Sequence, residues 1–177
     1  MTTTDTDSLL GLLLGIPEAE EFLAWPGDFE PCRAGHGEEI RLPSGVPLQA
    51  IAGDGGGGTY YQVGVGSDAD RPVLYAGSEG EGGLIAESLR EALELLIGLP
   101  YWQDCLPGRG FPLPGLEAEY RSTFHDLDER RDRVAGLLGL DRPPARDLVR
   151  RLHACVGRSV PDYLPLGANG GVYIPLG

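Results

Sequence analysis

The chain has 177 residues with 27 acidic and 14 Lys/Arg-class side chains, for a net charge of −13, and all 14 of those cations are Arg. With no Lys, a Walker-type phosphate loop and Schiff-base chemistry are both excluded. The acidity disfavours direct binding of nucleic acid, whose phosphates it would repel, and favours solubility and fast association with a basic partner.

The length fits one domain, or one domain with a helical extension. The 28 Gly and 15 Pro call for many turns and short elements. Cys32, Cys105 and Cys155 are odd in number and widely spaced. That is no disulfide framework, so the expected compartment is the reducing cytoplasm. The start, Met1 to Ser8, carries Asp5 and Asp7 and no cation, and the apolar run Leu9 to Ile16 is too short to span a bilayer. Neither a signal peptide nor a membrane span is expected.

In chain order, the Asp7-Ser8 pair starts a short leucine-rich helix that Gly15 and Pro17 stop, and a second helix runs from Glu18 to Trp25. Residues 28–45 read as loop with a short strand at Glu39 to Leu42. Val46 to Ala52 is a strand, Gly53 to Gly58 a glycine-rich turn, and Thr59 to Val65 the returning strand. Asp54 supports that turn through an Asx-type bond. After a turn at Ser67 to Asp70, Val73 to Ala76 is a third strand, and Gly77 to Gly83 reads as loop. Ser88 and Glu91 form a capping box for a helix whose apolar face is Leu89, Ala92, Leu93, Leu96 and Ile97, ended by Gly98 and Pro100. Residues 101–116 read as a linker or surface loop. Glu117 to Leu140 reads as one charged helix, and Pro143-Pro144 opens a last helix that Gly157 stops. Val172 to Ile174 reads as a short edge strand.

The stretch Pro47 to Ala52, Gly53 to Gly58, Thr59 to Val63, Arg71 to Tyr75 and Ile85 to Leu93 resembles the SUKH superfamily of cell-wall-regulator-like and bacterial immunity proteins. That family's core has an Asp-Gly-Gly-rich hairpin, a Val/Tyr strand and a Ser-capped helix. The resemblance covers about a third of the chain. It implies an α+β fold with a small, twisted, mostly antiparallel sheet packed with helices over residues 1–106. Residues 107–177 form a helical C-terminal extension without a counterpart in it. It also implies a protein-binding role, as an immunity protein that blocks a toxin, often a nuclease; nucleases tend to be basic, which suits a −13 chain.

Candidate chemistry is weighed residue by residue. The Gly53–Gly58 run opens a strand, not a helix, so it reads as a hairpin turn and not a phosphate cradle. Cys32/His36 and His153/Cys155 lack a structural-zinc spacing, so no metal or other cofactor is expected. Ser78 is not in a nucleophile elbow. His125-Asp126 reads as solvated helix face, and Glu79/Glu81 as solvated loop. The surface set for a partner is Asp54, Asp68, Asp70, Glu79 and Glu81 as an acidic face, with Tyr101 and Trp102 as interface anchors chosen from the large aromatics Trp25, Tyr60, Tyr61, Tyr101 and Trp102. Three functions stay open: a binding module meeting a basic protein, a small hydrolase or transferase of unrecognised type, and a scaffold that oligomerises through its C-terminal helices.

Overall fold

The computed structural model describes residues 8–177; the reading of Asp5 and Asp7 lies outside them. The fold is α+β. The helices are α1 (Leu9–Leu14), α2 (Pro17–Ala24), α3 (Leu89–Gly98), α4 (Leu113–Thr123), α5 (Leu127–Leu138) and α6 (Ala145–Gly157). The strands are β1 (Ile40–Arg41), β2 (Leu48–Gly53), β3 (Thr59–Val63), β4 (Val73–Ala76), β5 (Glu81–Ala86), β6 (Leu166–Gly167) and β7 (Ile174–Pro175). Among the described residues, no helix is long and apolar enough to cross a membrane.

Strands β2 to β5 form an antiparallel meander, and β7 adds to β5 in parallel, giving the order β2-β3-β4-β5-β7. The β1–β6 pair is a separate antiparallel ribbon. Side chains alternate across the meander, as strand geometry requires. Tyr60, Val73, Tyr75 and Ile85 join one apolar cluster with the helices, while Tyr61, Leu74, Ala76 and Leu84 join a second with Leu42 and Tyr173. All five residues of β3 are buried. The helical cluster runs from Leu13 and Phe22 through Leu93 and Trp102 to Val134 and Leu152, so the C-terminal helices share one core with the meander.

Ser88 caps α3 by accepting the Glu91 amide at 3.2 Å. The other half of the box is shifted: Glu91 reaches the amide of Glu87, at 3.3 Å, instead of that of Ser88.

Three sequence-based boundaries are corrected. Gly82 and Gly83 lie within β5, where residues 77–83 read as loop. A Cβ on Gly82 would stand 3.0 Å from Pro165, and one on Gly83 2.7 Å from Ser159 Oγ. Those glycines admit a close neighbour; they do not mark a loop. Residues 101–116 contain a 3₁₀ turn, Trp102–Cys105, and the start of α4. The charged helix is two helices, because Ser122 and Thr123 turn their hydroxyls back to the Glu119 carbonyl, at 2.8 and 3.1 Å, and compete with the helical ladder at the end of α4.

Candidate protein-binding end of the sheet

Hairpin loops alternate between the two ends of a meander. Register places the β3–β4 loop beyond the Gln62/Val73 pair, and the β4–β5 loop beyond the Thr59/Ala76 and Ala76/Gly82 pairs. The expected acidic face is therefore divided. Asp68 and Asp70 lie at one end, and Asp54, Glu79 and Glu81 at the other, beside the glycine loop.

At the first end, Asp68 is structural. It accepts the Leu10 amide at 3.1 Å and pairs with Arg71 at 3.5 Å, tying α1 to the sheet. Arg71 continues inward to Gln62 and Gln49, at 2.8 and 2.7 Å. Asp70 is exposed and accepts the Ser67 hydroxyl.

At the second end the glycine loop is held from inside. Asp54 is 4% exposed. Its Oδ1 accepts the amides of Gly56 and Gly58, at 2.9 and 2.7 Å, and its Oδ2 accepts the Tyr75 hydroxyl at 2.6 Å. The Asx bond read from sequence is the Gly56 contact; the Gly58 bond closes the same turn, and the Tyr75 bond brings a neighbouring strand to it. Gly58 has no room for a side chain, since a Cβ there would meet the Tyr75 hydroxyl at 2.3 Å. Gly57 takes φ +92°, a conformation open to Gly without cost.

Asp28 closes the loop from the other side. It is a non-glycine residue at φ +53°, and its Oδ1 accepts the Gly55 amide at 2.8 Å. Burial pushes its carboxyl pKa up, against the lowering effect of that bond, and the nearby charges of Asp54 and Glu30 add to the rise. The buried Tyr75 hydroxyl is likewise pushed above its ordinary range, first by desolvation and then by its bond to Asp54.

Glu79 and Glu81 line a cleft of about 270 Å³ with Tyr75, Gln103, Arg109 and Leu176. Gln103 joins the wall to the loop by donating to the Tyr75 hydroxyl at 3.3 Å. Of the predicted set, the structure thus brings together Asp54, Glu79 and Glu81, with Asp54 turned inward. Tyr101 and Trp102 are core residues, 3% and 1% exposed, not surface anchors. Trp102 meets Tyr75 edge-on, with centroids 5.2 Å apart, and lies tilted to Tyr60. A carboxylate that sequence reasoning passed over, Asp28, belongs to this end through its bond to Gly55, and Asp104 follows Gln103 of the cleft wall. The signal for Asp28 was its place beside Pro26-Gly27, where a turn favours Asp at positive φ.

A second polar site lies between α4 and α5. Arg131 is 2% exposed. It donates to the Ile97 and Gly98 carbonyls, at 3.0 and 2.9 Å, and to Glu117 at 2.5 Å, so it caps the C-terminus of α3 from another helix. Tyr101 also donates to Glu117. Burial works to raise the Glu117 pKa, but its bonds to Arg131 and Tyr101 outweigh that and hold it down at about 2. This network floors a cleft of about 430 Å³.

The histidines stand apart. His36 and His125 are exposed, and His153 Nε2 bonds the Cys105 carbonyl at 2.7 Å. Cys32 is exposed, and burial pushes the thiols of Cys105 and Cys155 up to about 11 and about 12. Comparison with protein-family models, with curated proteins and with solved structures gives no match.

Proposed function

We propose that this chain is a non-catalytic protein-binding module that works in the cytoplasm and meets a basic protein at the glycine-loop end of its sheet. The observation that carries the reading is the grouping there of Glu79, Glu81 and Asp28 around a loop that Asp54 and Tyr75 hold from within. A rigid acidic platform gives a basic partner electrostatic steering, and its loop loses little conformational freedom on binding. The SUKH-like hairpin and Ser-capped helix support the more specific reading of an immunity or regulatory protein whose partner is a toxin domain.

The test is capture of the product of the neighbouring reading frame, co-expressed with this chain. The expected result is a stoichiometric complex that high salt releases and that Glu79→Arg/Glu81→Arg weakens. A complex indifferent to both salt and charge reversal would remove the acidic end from the interface, and no complex at low salt would remove the reading.

A further inference from the structure

Trp25 is the largest exposed apolar side chain of the described residues, 64% accessible at the end of α2. It is not loose. Its ring meets Phe124 edge-on, with centroids 5.8 Å apart and planes at 62°. Phe124 in turn lies 6.0 Å from Tyr120, and Tyr120 lies 5.0 Å from Tyr101. Tyr101 is in the core. The row is therefore an aromatic ladder that climbs from the buried interior to solvent, each ring fixing the next in the tilted geometries that aromatic pairs favour.

The ladder stands against negative charge. Asp28 follows Trp25 by three residues, Glu119 adjoins Tyr120, and the Asp104 amide donates to the Tyr101 carbonyl at 3.0 Å, so a carboxylate accompanies each stage of the row. Asp28 also holds the glycine loop through Gly55, so the ladder and the acidic end adjoin. Of the neighbouring arginines, Arg121 on α4 is engaged by Glu117 and Asp128, at 2.9 and 3.1 Å, and Arg130 on α5 lies over the Phe22 ring of α2, 5.2 Å from its centroid.

We infer that the Trp25–Phe124–Tyr120 ladder is the anchor point of the interface, and that its occupant is an arginine-rich segment of a basic protein, with one guanidinium laid on the Trp25 ring and its neighbours facing Asp28, Asp104 and Glu119. The inference rests on the protein-binding reading above and names the chemistry of the partner. An exposed, pre-oriented indole offers the best side-chain face for a cation, and arginine stacks on it as a planar group while keeping its donors free for carboxylates. An apolar partner segment would bring no cation to these carboxylates; an acidic one would be repelled. Trp and Arg are also the residue types that dominate binding energy at interfaces.

The chain has two tryptophans, so its indole N–H groups report separately. Trp102, buried at 1%, is an internal control. The ¹⁵N-labelled full chain is titrated with an arginine octapeptide and, in parallel, a glutamate octapeptide. The Trp25 signal, assigned by its loss in Trp25→Phe, is expected to shift and saturate with the arginine peptide alone, while Trp102 stays still. Trp25→Ala should weaken binding about tenfold or more while Trp25→Phe retains most of it. Raising salt from about 0.02 to about 0.2 M should weaken it further. If the amides of Gly55 to Glu79 respond and the Trp25 indole does not, the anchor is wrong and the acidic end stands. If neither responds to the arginine peptide, both fall.

Discussion

The Tyr75 hydroxyl donates to Asp54 across 2.6 Å, joining the middle of β4 to a turn 21 residues earlier in the chain. This one bond satisfies a buried phenol and completes the acceptance of three donors by a buried carboxylate. Tyr75→Phe should lower stability by about 2 kcal/mol, the range for a hydrogen bond to a charged group. Asp54→Ala should cost more, about 3 kcal/mol, because it also orphans the Gly56 and Gly58 amides. Urea unfolding midpoints check both, and faster exchange of the Gly58 amide should accompany the second.

Arg131 and Glu117 are a partly buried pair whose members are unequal. Arg131→Met leaves Glu117 only Tyr101 and the exposed Arg121 and removes the donors to the last carbonyls of α3, so a loss of about 3 kcal/mol is expected. Arg131→Met combined with Glu117→Leu should be less damaging than Arg131→Met alone, since the partly buried carboxylate leaves together with its main partner. A thermal-melt double-mutant cycle measures the coupling; strict additivity would mean the two do not act together.

The depressed Glu117 pKa sets the sign of one pH effect. Its folded value, about 2, is below the ordinary 4.5. The stabilisation is therefore complete above 4.5 and is lost as pH falls from there toward 2. Asp28, whose pKa is raised, acts in the opposite direction, its burial penalty being relieved as pH falls. Stability of Glu117→Gln should accordingly fall less steeply than wild type across that window, as read from unfolding curves at successive pH values.

Thiol reactivity should follow burial. Cys32 is exposed, whereas the thiols of Cys105 and Cys155 are raised to about 11 and about 12. At pH 8 the native chain should take up one equivalent of iodoacetamide quickly and the urea-unfolded chain three, counted by mass.

Much of the local structure was legible in the residues. The Tyr/Val alternation of Thr59 to Val63, the Ser88 cap and the double-proline start of α6 each state their element through a local rule, and each is found close to where it was read. The site was less legible because its geometry is set by topology. Asp68 and Glu79 are 11 residues apart in sequence (79 minus 68), yet the intervening strand carries them to opposite ends of the sheet. Trp25 and Trp102 both follow helices, and only the packing of α2, α3 and α4 decides that the first faces water and the second Tyr75. Arg131 reads as one more charge on a charged helix until the C-terminus of α3 is placed beneath it.

The parallel pairing of Glu81 with Ile174 has a kinetic meaning. The meander from β2 to β5 closes through short loops and can assemble as soon as those residues are available. The strand that seals the outer edge of β5 is 93 residues away (174 minus 81), and Ser159, which takes the Leu84 amide at 2.8 Å on that same edge, is 75 away. Closing loops of that length costs entropy before the contacts reward it, so edge sealing is a late event. Until then β5 offers unpaired backbone groups, the template from which strand-to-strand aggregation begins. The order of assembly, more than the stability of the finished sheet, sets how this chain tolerates high concentration while it folds.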